Sequence, residues 1–391
     1  MADSPLKLRI SGRSNRLIQS EIRNMSIECD NVKGINLSQG ICDLELAGPV
    51  REGAVEAIRQ GINYYTRYDG LQCLREAISK KVSSYNKINC DPEKNIIVSG
   101  GATGAFYCAC LALLDPGDEV IVFEPYYGYH INTLHAAGAI PRYVRMTPPL
   151  WSFDKADLEK MVSVRTKGIV INTPANPSGK VFNKDELLLL SEFAIRHDLF
   201  IFTDEIYEYF VYDDNTHISP ASIKEIFDRT ITISGYSKTY SITGWRIGYC
   251  VCHEKWATTI GYVNDLVYVC GPAPLQMGVA DGINQLPDSF YENIRLTYKR
   301  MRDKICGTLH SIGLIPFVPQ GAYYVLADVS KIPGKSSKEK AMRLLYDTGV
   351  ACVPGTAFFH DDSGENLVRF CFAKREDVLD EACRKLSLIN Y

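Results

Sequence analysis

Between residues 94 and 252, short apolar runs alternate with longer segments whose apolar residues recur at steps of three and four. The short runs read "NIIVSG", "DEVIVFEP", "KGIVINTP", "LFIFTDEIY", "RTITISGYS" and "RIGYCVC", rich in the β-branched and aromatic residues that suit strands. Segments such as "KDELLLLSEFAIRH" have helical spacing. This alternation predicts βαβ units and a mainly parallel sheet. Several of the runs are apolar on both parities, so helices must cover both faces of that sheet. The predicted fold class is therefore α/β, a three-layer arrangement around one large sheet.

The pattern then changes. Phe290, Ile294, Tyr298, Met301, Ile305, Leu309 and Ile312 stand three or four apart, which predicts one long amphipathic helix ending at Gly313. Beyond it, "GAYYVLADVS", "GVACVPGTAFF" and "NLVRFCFA" read as strands interleaved with one helical segment. A smaller α+β unit is expected there, with the N-terminal segment folding back onto it.

Composition narrows the function classes. A length of 391 residues supports a large core in two parts. The formal charge of −3 and the absence of a basic run with interleaved aromatics argue against nucleic acid as a partner. No apolar run approaches the roughly 18 residues of a membrane span, and "MADSPLKLRISGRSNRL" has no apolar signal core. None of the thirteen cysteines forms a CxxC pair, so no zinc site is predicted. The C-x-C pairs at Cys108/Cys110 and Cys250/Cys252 lie in apolar stretches, where buried free thiols are expected. A reducing cytoplasm is the expected compartment.

Candidate chemistry lies where the strands end, the edge at which open α/β sheets bind ligands. "VSGGATGAF" is a strand, a glycine turn and a helix start, whose amide N–H groups would face an anion. Next come Asn176 in "NTPANPSGK", Asp204 and Tyr207 in "FTDEIYE", and Lys238 and Arg246 in "SGYSKTYSITGWRIGY". Each alone has an ordinary reading as turn, cap, core or surface. Together they share one purpose. A desolvated lysine can form a Schiff base with a carbonyl. An aspartate can keep a pyridine nitrogen protonated, making the ring an electron sink. An amide and a phenol can hydrogen-bond a phenolate oxygen, and an arginine with turn amides can hold phosphate. That set specifies pyridoxal phosphate.

Those motifs, in that order and with "LLDPGDEVIVFEPYYGY", resemble class I/II aminotransferases of pyridoxal-phosphate fold type I over nearly the whole chain. The resemblance implies residues 1–48 joining the small domain, a cofactor domain over 49–285, and a linker helix with the small domain over 286–391. It implies Lys238 as the lysine bonded to the cofactor and the general base, Asp204 on the pyridine nitrogen, and Asn176 and Tyr207 on the ring oxygen. Tyr127 would stack on the ring, or Tyr126 if the register slips by one. Gly101, Ala102, Thr103, Ser237 and Arg246 would hold the phosphate. Tyr65, in "NYYTRYDGLQCLREAI", would reach the phosphate of a second subunit, implying a homodimer. Gly40, Asn176 and Arg369 would contact substrate, Arg369 through its α-carboxylate.

The implied activity is ping-pong transfer of an amino group from an L-amino acid to a 2-oxo acid. A β-eliminating lyase of the same fold and a non-catalytic regulator that binds the cofactor are the alternatives. The chain departs from the family at Cys42, Asp43 and Leu44, where Pro-Asp-Phe is usual, and at Phe359, where glycine is common. Thr103 stands where one acid-specific branch has lysine, which weighs against a dicarboxylate donor and favours a neutral or aromatic one. Arg13 and Arg16 are candidates for a side-chain carboxylate contact, with surface charge as the plainer reading. Trp245 is read as packing.

Overall fold

The computed structural model describes residues 8–17 and 19–389. Its larger sheet has seven strands, in the spatial order Ile96–Gly100, Ile247–Val251, Thr230–Gly235, Phe200–Asp204, Thr166–Asn172, Glu119–Glu124, Ile140–Arg145. All pairings are parallel except those of Ile247–Val251, which runs antiparallel to both neighbours. The link over 236–246 is short of the usual parallel crossover, so the chain turns back beside the strand it has just left. Every residue of Glu119–Glu124, Thr230–Gly235 and Ile247–Val251 is buried, as apolar runs on both parities require.

The flanking helices follow the sequence pattern. Lys184–Arg196 begins with a capping box, in which the Asn183 side chain accepts from the Glu186 N–H at 2.9 Å and the Glu186 carboxylate accepts from the Asn183 N–H at 3.0 Å. The long helix runs over Asp288–Ser311, with Ile294, Tyr298, Met301, Ile305 and Leu309 buried. Gly313, at φ +82°, reverses the chain after it.

A second sheet of four antiparallel strands follows, ordered Val353–Pro354, Leu367–Cys371, Tyr324–Asp328, Ile315–Phe317. Ile35–Asn36 pairs in parallel with Val350–Ala351, which fastens the early chain to this region. "GVACVPGTAFF" is not one strand but two two-residue strands and a 3-10 turn over Gly355–Phe358. The region also holds two helices, Ser337–Thr348 and Glu376–Leu386, and the second buries Leu379, Ala382, Cys383 and Leu386.

All thirteen cysteines are free and ten are buried. Cys108 and Cys110 sit on the helix Gly101–Leu113, and Cys250 on a strand. Among the described residues no helix is long and apolar enough to cross a membrane.

Candidate active site

The carboxyl ends of Ile96–Gly100, Thr166–Asn172, Phe200–Asp204 and Thr230–Gly235 open onto a cavity of about 460 Å³. The register sets Asn172 opposite Asp204 and Asp204 opposite Ile233, so Thr166–Asn172 and Phe200–Asp204 end level and Thr230–Gly235 runs two residues further.

At one end of the cavity the helix Gly101–Leu113 begins directly from its strand, and no side chain caps it. Its first amide N–H groups are therefore open to an anion, and Ala102 and Thr103 line the cavity there. Gly101 has φ +78°, and a Cβ on it would overlap the Arg246 guanidinium. Arg246 donates to the Thr243 carbonyl at 3.0 Å and to the Gly100 carbonyl at 3.2 Å, so its charge lies across the same turn. With Ser237, which also lines the cavity, these groups could hold a phosphate dianion.

Lys238 follows Ser237. Its Nζ donates to the Gly40 carbonyl at 3.2 Å and lies 5.8 Å from the centre of the Tyr323 ring. Burial pushes the amine below the usual lysine range, against the opposing effect of Cys42. The neutral amine, which is the nucleophile, is thereby favoured.

Asp204 is 8% exposed. One of its oxygens shares a 2.9 Å hydrogen bond with His130 Nε2, and the other accepts the Ile206 N–H at 3.2 Å. His130 is itself buried, edge-on to Tyr127 with ring centres 5.3 Å apart. This carboxylate is fixed in place and can face a protonated ring nitrogen.

Tyr207 and Tyr324 share a hydrogen bond between their hydroxyls at 2.9 Å, and burial pushes the Tyr207 phenol well above its ordinary pKa. Asn176 is aligned by its N–H, which donates to the Asn172 side chain at 2.8 Å, and its own carbonyl oxygen accepts from Arg369 Nη1 at 2.9 Å. Arg369 has no exposed surface. It also donates to the Ser38 carbonyl and lies over the Tyr324 ring at 4.2 Å, while its Nε has no partner. No carboxylate among the described residues pairs with it. A buried guanidinium in that condition is built to receive an anion.

Ten residues singled out in the sequence line this one cavity: Gly40, Ala102, Thr103, Tyr127, Asn176, Asp204, Tyr207, Ser237, Lys238 and Arg246. Gly101 and Arg369 abut it, through Arg246 and Asn176. Tyr65 does not reach it from within this chain and is 80% exposed. Tyr126 is turned away, its hydroxyl donating to the Phe359 carbonyl at 2.7 Å. Arg13 and Arg16 are exposed and outside the lining. Trp245, half-buried, packs against the core beneath. Of the departures, Cys42 lies with its Sγ 3.6 Å from the Lys238 carbonyl, and Asp43 pairs with Lys374 at 3.4 Å.

Sequence reasoning missed His130, Tyr324, Asn172 and Arg23, all of which line the cavity. His130 stands three residues after Tyr127, one helical turn on, and that spacing was a usable signal. Tyr324 had none, because its contacts come from Gly40 and Tyr207, far away in sequence. A Cβ on Gly40 would overlap the Tyr324 hydroxyl, which explains the glycine.

Comparison with known proteins agrees with this geometry. The model of the family described as aminotransferase class I and II matches residues 32–386. An aspartate aminotransferase of Pyrococcus abyssi is 34% identical over 390 residues, covering 98% of each chain. Kynurenine–oxoglutarate transaminase 3 of Rattus norvegicus is 32% identical over 89% of this chain and 83% of its own. The structure of N-succinyldiaminopimelate aminotransferase from Mycobacterium tuberculosis superposes with a TM-score of 0.94 at 32% identity, covering 97% of this chain and all of that one. With lysine, carboxylate, uncapped helix start and unpaired buried arginine gathered at the strand ends, this chain belongs to the class I and II aminotransferases, enzymes that move amino groups with pyridoxal phosphate.

Proposed function

We propose that the residues of the cavity divide the work of transamination as follows. Pyridoxal phosphate, when bound, supplies a ring that accepts the electron pair left when the substrate Cα loses its proton. Lys238 would hold the cofactor's aldehyde carbon, and its amine would take and return the proton of the substrate Cα. Asp204, steadied by His130, keeps the ring nitrogen protonated. Tyr207 and Asn176 bond the ring oxygen, and Tyr127 covers one ring face. Gly101, Ala102, Thr103, Ser237 and Arg246 grip the phosphate. Arg369 takes the substrate α-carboxylate as a two-pronged fork, and Gly40 contributes a backbone contact on the same side.

The observation that carries this reading is the Lys238 amine, withdrawn from water in the same cavity as the buried Asp204–His130 pair. An amine of lowered pKa is needed for nucleophilic attack on an aldehyde, and a carboxylate held by a second group is needed opposite the ring nitrogen. The test is a visible absorbance titration of purified protein loaded with pyridoxal phosphate, using single amino acids and no oxo acid. Stoichiometric conversion of the cofactor to its amino form is expected, with release of the matching 2-oxo acid. Release of pyruvate and ammonia with the cofactor unchanged would indicate the eliminating alternative. Lys238→Ala should abolish turnover by at least a thousandfold while leaving the fold intact by circular dichroism. Wild-type turnover in that variant would overturn the assignment.

We also propose a homodimer with shared sites. Support comes from exposed large apolar side chains, Tyr65, Tyr64, Tyr262 and Leu266 at 80%, 63%, 63% and 86% exposure, the last two on a helix whose final residue, Tyr268, lies against Gly100 at the phosphate end. Arg246 and Gly244 are exposed at that same end, so the cavity is open where a second subunit would bring Tyr65. The described part of residues 1–48 is proposed to move with that of 286–391 as one small domain, which the pairing of Ile35–Asn36 with Val350–Ala351 supports; residues 1–7, 18, 390 and 391 lie outside the described residues. Thirteen unpaired cysteines support a cytoplasmic setting.

A further inference from the structure

A second cavity, of about 340 Å³, adjoins the first and shares Ser20, Ile22, Tyr127 and Tyr129 with it. Its volume lies within the roughly 300–1,000 Å³ of small-molecule sites. Of its thirteen other lining residues six carry aromatic rings, while Gln19, Glu21, Asn132 and Thr356 are polar. Tyr126 packs on Tyr143 with ring centres 5.6 Å apart and is tied to the Phe359 carbonyl. Tyr143 stacks on His360 at 4.4 Å, and Tyr127 on Tyr129 at 5.2 Å. Phe358 forms part of the wall and lies 5.1 Å from the Arg369 guanidinium. The second cavity thus begins beside the group that would hold a substrate's α-carboxylate.

Most of the charges around it are matched within the protein. Arg145 pairs with Glu124 at 3.1 Å and with Asp361 at 3.0 Å, and lies over the Phe359 ring. Glu21 pairs with Lys338 at 2.7 Å, and His360 bonds Glu124 at 2.9 Å. His135 is pushed by burial toward its neutral form, and its Nδ1 has no partner. No lysine or arginine is among the residues that line this space, and the nearest uncommitted cation is Arg16, exposed and close enough to act on His135 from outside the lining. An aryl ring would find aromatic walls, with edge-to-face and offset contacts available, and one imidazole able to meet a ring substituent.

We infer that the second cavity is the side-chain seat for the amino donor and that the donor class is aromatic. This rests on the transaminase reading above. With its α-carboxylate on Arg369, the donor would pass its side chain by Phe358 into the space between Tyr127 and Phe359. An unpaired arginine is the rival determinant: Arg23 is exposed, lines the first cavity and pairs with no carboxylate among the described residues, and Arg16, exposed and likewise in no ion pair there, acts on His135 of the second cavity. If either governs specificity, acidic donors will win.

Two experiments decide this. In the first, half-reactions of the loaded wild-type enzyme and of Ala357→Phe are compared for phenylalanine, tyrosine, alanine and glutamate. Ala357 lines the second cavity, and a phenyl group placed there would fill it. Wild type should prefer phenylalanine and tyrosine over glutamate. The variant should lower the ratio of phenylalanine to alanine efficiency ten- to a hundredfold, the range for excluding an apolar group from its pocket. Preference for glutamate in the wild type, or equal losses for both donors in the variant, would overturn the inference. The second experiment needs no variant and no turnover: thermal shift of the loaded protein with 3-phenylpropionate against propionate. The aryl acid should stabilise at a concentration at least tenfold lower, and equal effects would overturn the seat. Failure of every amino acid to react would instead overturn the transaminase reading, leaving the seat to be judged by the thermal shift.

Discussion

Arg369 is the residue on which the site's chemistry turns most sharply. Its guanidinium has no exposed surface, donates to Asn176 and to Ser38, and faces no protein carboxylate among the described residues. Removing such a charge from water is costly unless an anion completes it, so the structure holds it ready for the substrate. Arg369→Lys keeps the charge and loses the fork. One charge-assisted hydrogen bond is about 1.5–3 kcal/mol, so kcat/KM for every amino donor should fall roughly ten- to 150-fold, mainly through KM. An unchanged KM in steady-state kinetics would remove Arg369 from the substrate's carboxylate. Lys238 shows the same economy of position, since burial first, and then the charge of Arg246, favour its neutral form.

Between elements, the long helix Asp288–Ser311 is tied to the loop that follows the strand Phe200–Asp204. Arg302, buried on that helix, donates to both oxygens of Asp213, at 2.6 and 3.1 Å. The Arg302 hydrogen bonds hold the Asp213 carboxyl at about 2, below its ordinary 3.8. Because the folded value is the lower one, the stabilisation is fully present above the ordinary value. It is lost as the pH falls toward 2. Asp213 is half exposed, so Asp213→Asn should cost only about 1 kcal/mol at neutral pH, by urea denaturation. The gap between wild type and variant should shrink between about pH 5 and pH 3. A gap independent of pH would mean that the pair is not ionic in its effect.

At the scale of the whole molecule, Gly244 and Arg246 leave the cavity exposed at the phosphate end. Tyr64, Tyr65, Tyr262 and Leu266 are large apolar side chains left exposed. A stable partner face buries about 1,200–2,000 Å² in all, and a charge near its centre is poorly tolerated. Sedimentation of the wild type should give a dimer, and Leu266→Asp should shift it toward monomer with weaker cofactor retention. A wild-type monomer at micromolar concentration would refute the shared site.

The sequence by itself determined the layered α/β plan, since only a sheet covered on both faces accommodates runs that are apolar on both parities. It also determined which strand ends carry Lys238, Asp204 and Asn176, because reactive polar residues at the close of apolar runs are conspicuous. Tertiary structure alone decided the partners. His130 reaches Asp204 across 74 positions, Arg369 reaches Asn176 across 193, and Tyr207 meets Tyr324 across 117. It also chose Tyr127 over Tyr126 for the cavity wall, a difference of one residue that periodicity does not resolve at a helix start. The physical reason is that local propensity acts over a turn or a strand. The pairing of buried charges and the shape of an aromatic seat depend on elements that meet only when the core closes.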